Sequence, residues 1–137
     1  MFQRVAYDDL NARQQENYNF QKVAACLANY GFNCLRLTDD WQGADFIACH
    51  IDGKTVLKIQ LKGRVTIARK YLCKDIHIAF LHHENCYVYK HDALVRSIKE
   101  QHPSTMNTIS WRERGNFSWV QPPKWLLALL AKHNLLG

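Results

Sequence analysis

The clearest pattern along the chain is the alternation in Val56-Leu57-Lys58-Ile59-Gln60-Leu61-Lys62. Side chains on a strand point to opposite faces in turn, so Leu57, Ile59 and Leu61 share one face and Lys58, Gln60 and Lys62 the other. The first set can pack on a core. The second is either a solvated face or the lining of a site, and alternation alone does not choose between them. Upstream, Gly43-Ala44-Asp45-Phe46-Ile47-Ala48 reads as a strand opened by an aspartate, and Asp52-Gly53-Lys54 as the turn joining the two runs. Paired as a hairpin, they bring Asp45, Gln60 and Lys62 to one end of a sheet.

The rest of the chain divides along similar lines. Asp8–Asn11 offers caps for a helix running to about Tyr30, with Phe20, Val23, Ala24, Leu27 and Tyr30 as its apolar stripe and Gly31 as its terminator. Extended back, the stripe reaches Glu16, which is either a solvated helix end or a group aimed at the site. Asn19 and Gln21 are weaker candidates on the same helix. Asn33–Leu37 is a predicted strand, and Thr38-Asp39-Asp40-Trp41-Gln42-Gly43 a loop whose carboxylates are read as ordinary loop groups. Ile76–Leu81 and Cys86–Tyr89 are further strands around a His82-His83-Glu84-Asn85 turn. Those adjacent histidines diverge and have no evident third metal ligand. His91-Asp92 starts a helix to about Gln101, Pro103–Thr108 is a loop, and Trp111–Trp119 is irregular or strand-like. Pro122-Pro123 opens a last helix over Lys124–His133. Trp111, Arg112, Arg114 and Trp119 read as a packed tail, with stacking on nucleic acid as the alternative. The order predicts an α/β (α+β) fold with a mixed central sheet of four to five strands flanked by helices.

Composition changes this picture little. The 137 residues suit a single domain, with a core over about 10–100 and a C-terminal extension over about 103–137. No apolar run is long enough to span a membrane. Met1-Phe2-Gln3-Arg4 does not open a signal peptide. The five cysteines, Cys26, Cys34, Cys49, Cys73 and Cys86, are odd in number and without a CxxC pair, as expected of free thiols in a reducing, cytoplasmic setting.

Charge distribution adds more. Lys54, Lys58, Lys62, Arg64, Arg69, Lys70 and Lys74 follow one another with no acidic residue between them, which leaves eleven basic residues against 12 acidic elsewhere. Such a run is the footprint of a polyanion site or a basic surface loop. Because it begins inside the candidate strand, Lys58, Arg64, Arg69, Lys70 and Lys74 are read as phosphate contacts.

Taken together, Asp45…Gln60-x-Lys62 resembles the PD-(D/E)xK nuclease superfamily, the restriction-endonuclease-like fold. Ala44 stands where proline is usual and Gln60 where an acid is usual. Tyr30-Gly31-Phe32 followed by Cys34-Leu35-Arg36-Leu37 looks like the opening of Holliday-junction resolvases, and the glutamine variant resembles a restriction-like homing endonuclease lineage. The resemblance implies a divalent-metal-dependent DNA endonuclease using Mg²⁺ or Mn²⁺. Asp45, Gln60 and the Leu61 backbone carbonyl would be metal ligands, Glu16 an additional acidic ligand, and Lys62 the group that orients water and stabilises charge. DNA is the implied partner. A small chain reading both strands implies a homodimer or homotetramer. A nucleic-acid-binding module without catalysis and an interaction protein with a plain Asp45–Lys62 ion pair are the competing readings.

Overall fold

The computed structural model describes residues 1–136. Helix α1 (Ala12–Ala28) is opened by a capping box, in which Asn11 accepts from the Gln14 backbone while the Gln14 side chain accepts from the Asn11 backbone. Five strands follow in one mixed sheet. These are β1 (Phe32–Trp41), β2 (Ala44–His50), β3 (Val56–Leu61), β5 (Ile76–His82) and β6 (Asn85–Lys90), in the order β1-β2-β3-β5-β6. A short strand β4 (Val65–Ala68) pairs antiparallel with β7 (Asn116–Trp119) in a separate two-stranded sheet. Helices α2 (His91–Gln101) and α3 (Lys124–Leu130) complete the chain. No helix among the described residues is long and apolar enough to cross a membrane.

All neighbours in the main sheet are antiparallel except β3 and β5, which run parallel with Lys58 beside Ile76 and Gln60 beside Ile78. A parallel step needs a long crossover connection. Here that crossover is Lys62 to Asp75, and it carries β4 and most of the basic run.

Both faces of the sheet are covered, which explains its two apolar sets. On the α1 face, Val23 and Leu27 pack on Phe46, Ala48, Ile59, Ala79 and Val88. On the other face, Ile76, Ile78, Phe80 and Tyr89 meet Leu94, Val95 and Ile98 of α2, Val65 and Ile67 of β4, and Leu126 and Leu130 of α3. The face shared by Lys58, Gln60 and Lys62 is therefore not a solvated plane. It leads directly into the second core.

Several expectations change. Thr38–Gly43 is not a loop: β1 continues irregularly to Trp41, and the turn is Gln42-Gly43, with φ of 52° and 87°. Two consecutive positive φ values make the mirror-image turn whose twist suits a hairpin. Strand β4 was not anticipated. Pro103–Asn107 is a short 3₁₀ helix rather than open loop. Tyr30 does not join the helix stripe into the core: it is 48% exposed, and its hydroxyl donates to the Leu135 carbonyl. The last helix ends at Leu130, followed by a 3₁₀ turn over Ala131–His133. All five cysteines are free.

Candidate active site

The site forms where β2 peels away from β3. The ladder between them ends at the Phe46–Ile59 pair, one residue short of Asp45 and Gln60. Ala44, just before, is fully buried in the second core. The hairpin tip is folded over the sheet: Lys58 Nζ donates to Gln42 Oε1 at 3.2 Å, and a Cβ on Gly43 would come within 3.3 Å of the Tyr71 ring and 3.4 Å of Ile76. With its positive φ and this close approach, Gly43 is the residue that lets the tip close down.

This departure frees the Leu61 N–H, which donates instead to Asp45 Oδ2 at 2.8 Å. The Lys62 N–H donates to the Ala79 carbonyl at 2.9 Å, so the strand end stays anchored to β5. One residue before Leu61, Gln60 Oε1 is buried and has no hydrogen-bond partner. A buried acceptor left without a partner costs on the order of 1–3 kcal/mol, so the position carries an unmet demand for a donor or a cation.

Electrostatics point the same way. Burial raises the Asp45 carboxyl above its ordinary value; the Leu61 N–H opposes this, Asp40 and Glu16 add to it, and Lys62 opposes it. Glu16, Asp39, Asp40 and Asp45 line one groove together with Arg13 and Arg36. Asp40, read from sequence as an ordinary loop group, therefore lies within electrostatic reach of Asp45. Glu16 reaches the same groove but is paired: Arg36 Nη2 donates to it at 2.8 Å, while Arg36 Nη1 donates to Asn17 at 2.5 Å. Both partners are substantially exposed, so this pair holds weakly. Asn19 donates to the Tyr7 hydroxyl at 2.9 Å, and Gln21 is exposed.

Lys62 places its ammonium 5.4 Å from the Tyr71 ring centre, and Lys70 sits 5.2 Å from the same ring. Tyr71 is 3% exposed, and burial raises its hydroxyl above the ordinary tyrosine range. This aromatic platform for two cations was missed from sequence, where its only signal was a place at the centre of the basic run.

The basic candidates separate. Arg64 and Lys70 line a polar groove with Lys62, Thr66, Asn116 and Ser118, along the β4–β7 sheet. Arg69 turns away: its guanidinium donates to the Trp111 carbonyl and, at 2.7 Å, to the Arg112 carbonyl, and it stacks 5.7 Å from the Trp111 ring. Lys74 is exposed in the turn before β5, toward the Lys58 end of the sheet rather than the Lys62 end. Lys58 is tied to Gln42. Trp111 is buried and Trp119 partly buried against the second core, while Arg112 and Arg114 are exposed.

Among the described residues, no three of His, Cys, Asp or Glu are grouped to hold a metal ion. The Asp45 carboxylate meets the Leu61 backbone, and the orphaned Gln60 amide oxygen belongs to the residue just before Leu61. Oxygen donors of this kind suit a hard divalent cation such as Mg²⁺ or Mn²⁺.

No family model matches the sequence, and no curated protein matches it. Two solved structures resemble the fold. A bacterial homing endonuclease shares 12% identity at a TM-score of 0.48, over 90% of this chain and 94% of its own. The Hjc Holliday junction resolvase of Archaeoglobus fulgidus shares 13% identity at a TM-score of 0.39, over 51% of this chain and 74% of its own. Likeness at this level concerns the fold alone.

Proposed function

We propose that the protein is a divalent-metal-dependent DNA endonuclease of the Asp45…Gln60-x-Lys62 type. The observation that carries this reading is the buried, partnerless Gln60 Oε1 on the strand whose Leu61 N–H holds the partly buried Asp45 carboxylate, with Lys62 of the basic groove next along that strand. Asp45, Gln60 Oε1 and the Leu61 carbonyl would hold Mg²⁺ or Mn²⁺, with Asp40 and Glu16 adding negative charge nearby. A cation there supplies positive charge against the phosphate oxygens and a more acidic water.

The chain's own groups do the rest. The Leu61 N–H fixes the Asp45 carboxylate at one oxygen. Lys62, held over Tyr71, presents an ammonium to the charge that develops on phosphorus-bound oxygens during hydrolysis. Arg64 and Lys70 bind the flanking phosphates and set the strand along the groove. A homodimer or homotetramer would bring a second site to the opposite strand.

One observation favours a second reading. The Glu16 carboxylate is engaged by Arg36, which leaves the donor set with one strong anion and suits a DNA-binding module without catalysis. The two readings separate in a cleavage assay on plasmid, linear and four-way-junction DNA with Mg²⁺, Mn²⁺ or EDTA. Metal-dependent cutting supports the nuclease. DNA retarded in a gel without any cutting supports the binding module. Neither binding nor cutting refutes both.

A further inference from the structure

A second cavity opens on the α1 side of Lys62. Arg4, Lys22 and Lys62 bring cations to it, and Glu84 is the one acidic residue in its lining. Tyr7 and Tyr18 form one wall, edge to face with ring centres 5.4 Å apart. The wall is held in place: Asn19 donates to the Tyr7 hydroxyl at 2.9 Å, Gln15 donates to the Tyr7 carbonyl at 3.2 Å, and the Lys22 ammonium lies 5.3 Å from the Tyr18 ring. Tyr18 and Lys22, one helical turn apart, share a face of α1, with Cys26 a turn deeper at the floor.

Despite this bracing, Tyr7 and Tyr18 remain 39% and 40% exposed. Fixed, part-exposed aromatic side chains among cations are what unpaired nucleotides use, with bases on the rings and phosphates on the charges. A base inside a duplex has both faces covered by its neighbours and cannot lie on such a ring. Lys62 and Gly63 line both this cavity and the β4–β7 groove, so the two depressions meet at the proposed scissile phosphate. Nothing stands within 4 Å of where a Gly63 side chain would begin.

We infer that this cavity receives an unpaired nucleotide of the DNA strand whose phosphate lies at Lys62, with its base against Tyr18 and its flanking phosphate on Arg4 and Lys22. The substrate class is then DNA with an unstacked nucleotide beside the cut, such as an overhang, flap or branch, rather than continuous duplex. This rests on the nuclease reading of the Lys62 site.

The test measures affinity in EDTA, where no cutting occurs, for a blunt duplex and for the same duplex with a short 5′ or 3′ overhang carrying 2-aminopurine. The wild type is expected to bind one overhang form about tenfold more tightly than the blunt form, the gain from one aromatic–base stack, with the fluorescence quenched. Tyr18→Phe keeps the preference, and Tyr18→Ala brings it close to parity. Lys22→Ala, at an exposed position that leaves the fold intact, weakens overhang binding and lowers its salt slope by about one. Equal affinity for blunt and overhang DNA in the wild type overturns the inference, as does a preference undiminished in both Tyr18→Ala and Lys22→Ala. If blunt DNA is bound, and cut once Mg²⁺ is added, that failure leaves the nuclease reading standing. If neither form is bound, both fall.

Discussion

Replacing Gln60 with methionine tests the orphaned amide. The amide oxygen is buried without a partner, and its strand neighbour on the same face is the fully buried Ile78. Methionine keeps the unbranched shape while removing both polar atoms. Leaving a buried acceptor unpaired costs about 1–3 kcal/mol. Allowing for imperfect packing, the substitution should stabilise the metal-free protein by about 1 kcal/mol, or roughly 3–4 °C in Tm for a chain of this size. Added metal should reverse the order. A cation at about a hundred times its Kd stabilises the native state by about 2.7 kcal/mol. The wild type should show that gain, and Gln60→Met only a fraction of it. Gln60→Glu should behave oppositely, losing stability in EDTA because a second carboxylate joins Asp45 and gaining more than the wild type with Mg²⁺. Circular dichroism melts of the three proteins, with EDTA and with excess Mg²⁺, read all of this directly. A Gln60→Met protein less stable than wild type in EDTA would mean that the amide is structural. Equal metal-induced shifts in both proteins would remove Gln60 from the ligand set.

Other consequences are open to simpler checks. The folded-state pKa of Asp45 is raised, so between its unfolded and folded values the native state holds more protons, and this carboxyl makes stability fall as pH rises through that interval. Asp45→Asn should therefore melt higher than wild type in EDTA near neutral pH, with the difference vanishing at acid pH; a lower melt at neutral pH would contradict the direction of the shift. Reversing charge at Arg64 and Lys70 together should weaken DNA binding across sequences and reduce the slope of log K against log salt by about 2; an unchanged slope in gel-shift titrations would return the groove to ordinary surface. Arg69→Ala should instead cost about 1 kcal/mol of stability, because the part-buried Trp111 carbonyl and the exposed Arg112 carbonyl lose their donor. Its salt slope should match the wild type, and a lower one would make Arg69 a phosphate contact.

Local chemistry was legible where the answer was local. The cap candidates over Asp8–Asn11 include Asn11, which opens α1, and the Val56–Lys62 alternation announced β3. Strand β4 was not legible, because its four residues are flanked by arginines and its partner Trp119 lies far along the chain. The extension of β1 was hidden by Thr38, Asp39 and Asp40, polar residues that an exposed edge strand tolerates and a loop prefers. Arg69 looked like every other cation in its run. Only the fold shows that its guanidinium meets the Trp111 and Arg112 carbonyls, and only the folded-over hairpin tip brings Gly43, and with it Tyr71, to the site. The Glu16–Arg36 pair likewise joins helix to strand across a tertiary contact that spacing does not encode.

The most direct test of the central claim is nicking of supercoiled plasmid by the wild type, Asp45→Asn and Lys62→Ala, each with Mg²⁺ and with EDTA and each first shown to bind DNA. The account predicts cutting by the wild type only with metal, and loss of at least about a hundredfold in either variant, the scale of one preorganised charge-stabilising group. Cutting by the wild type in EDTA, or wild-type rates in both variants, would contradict it.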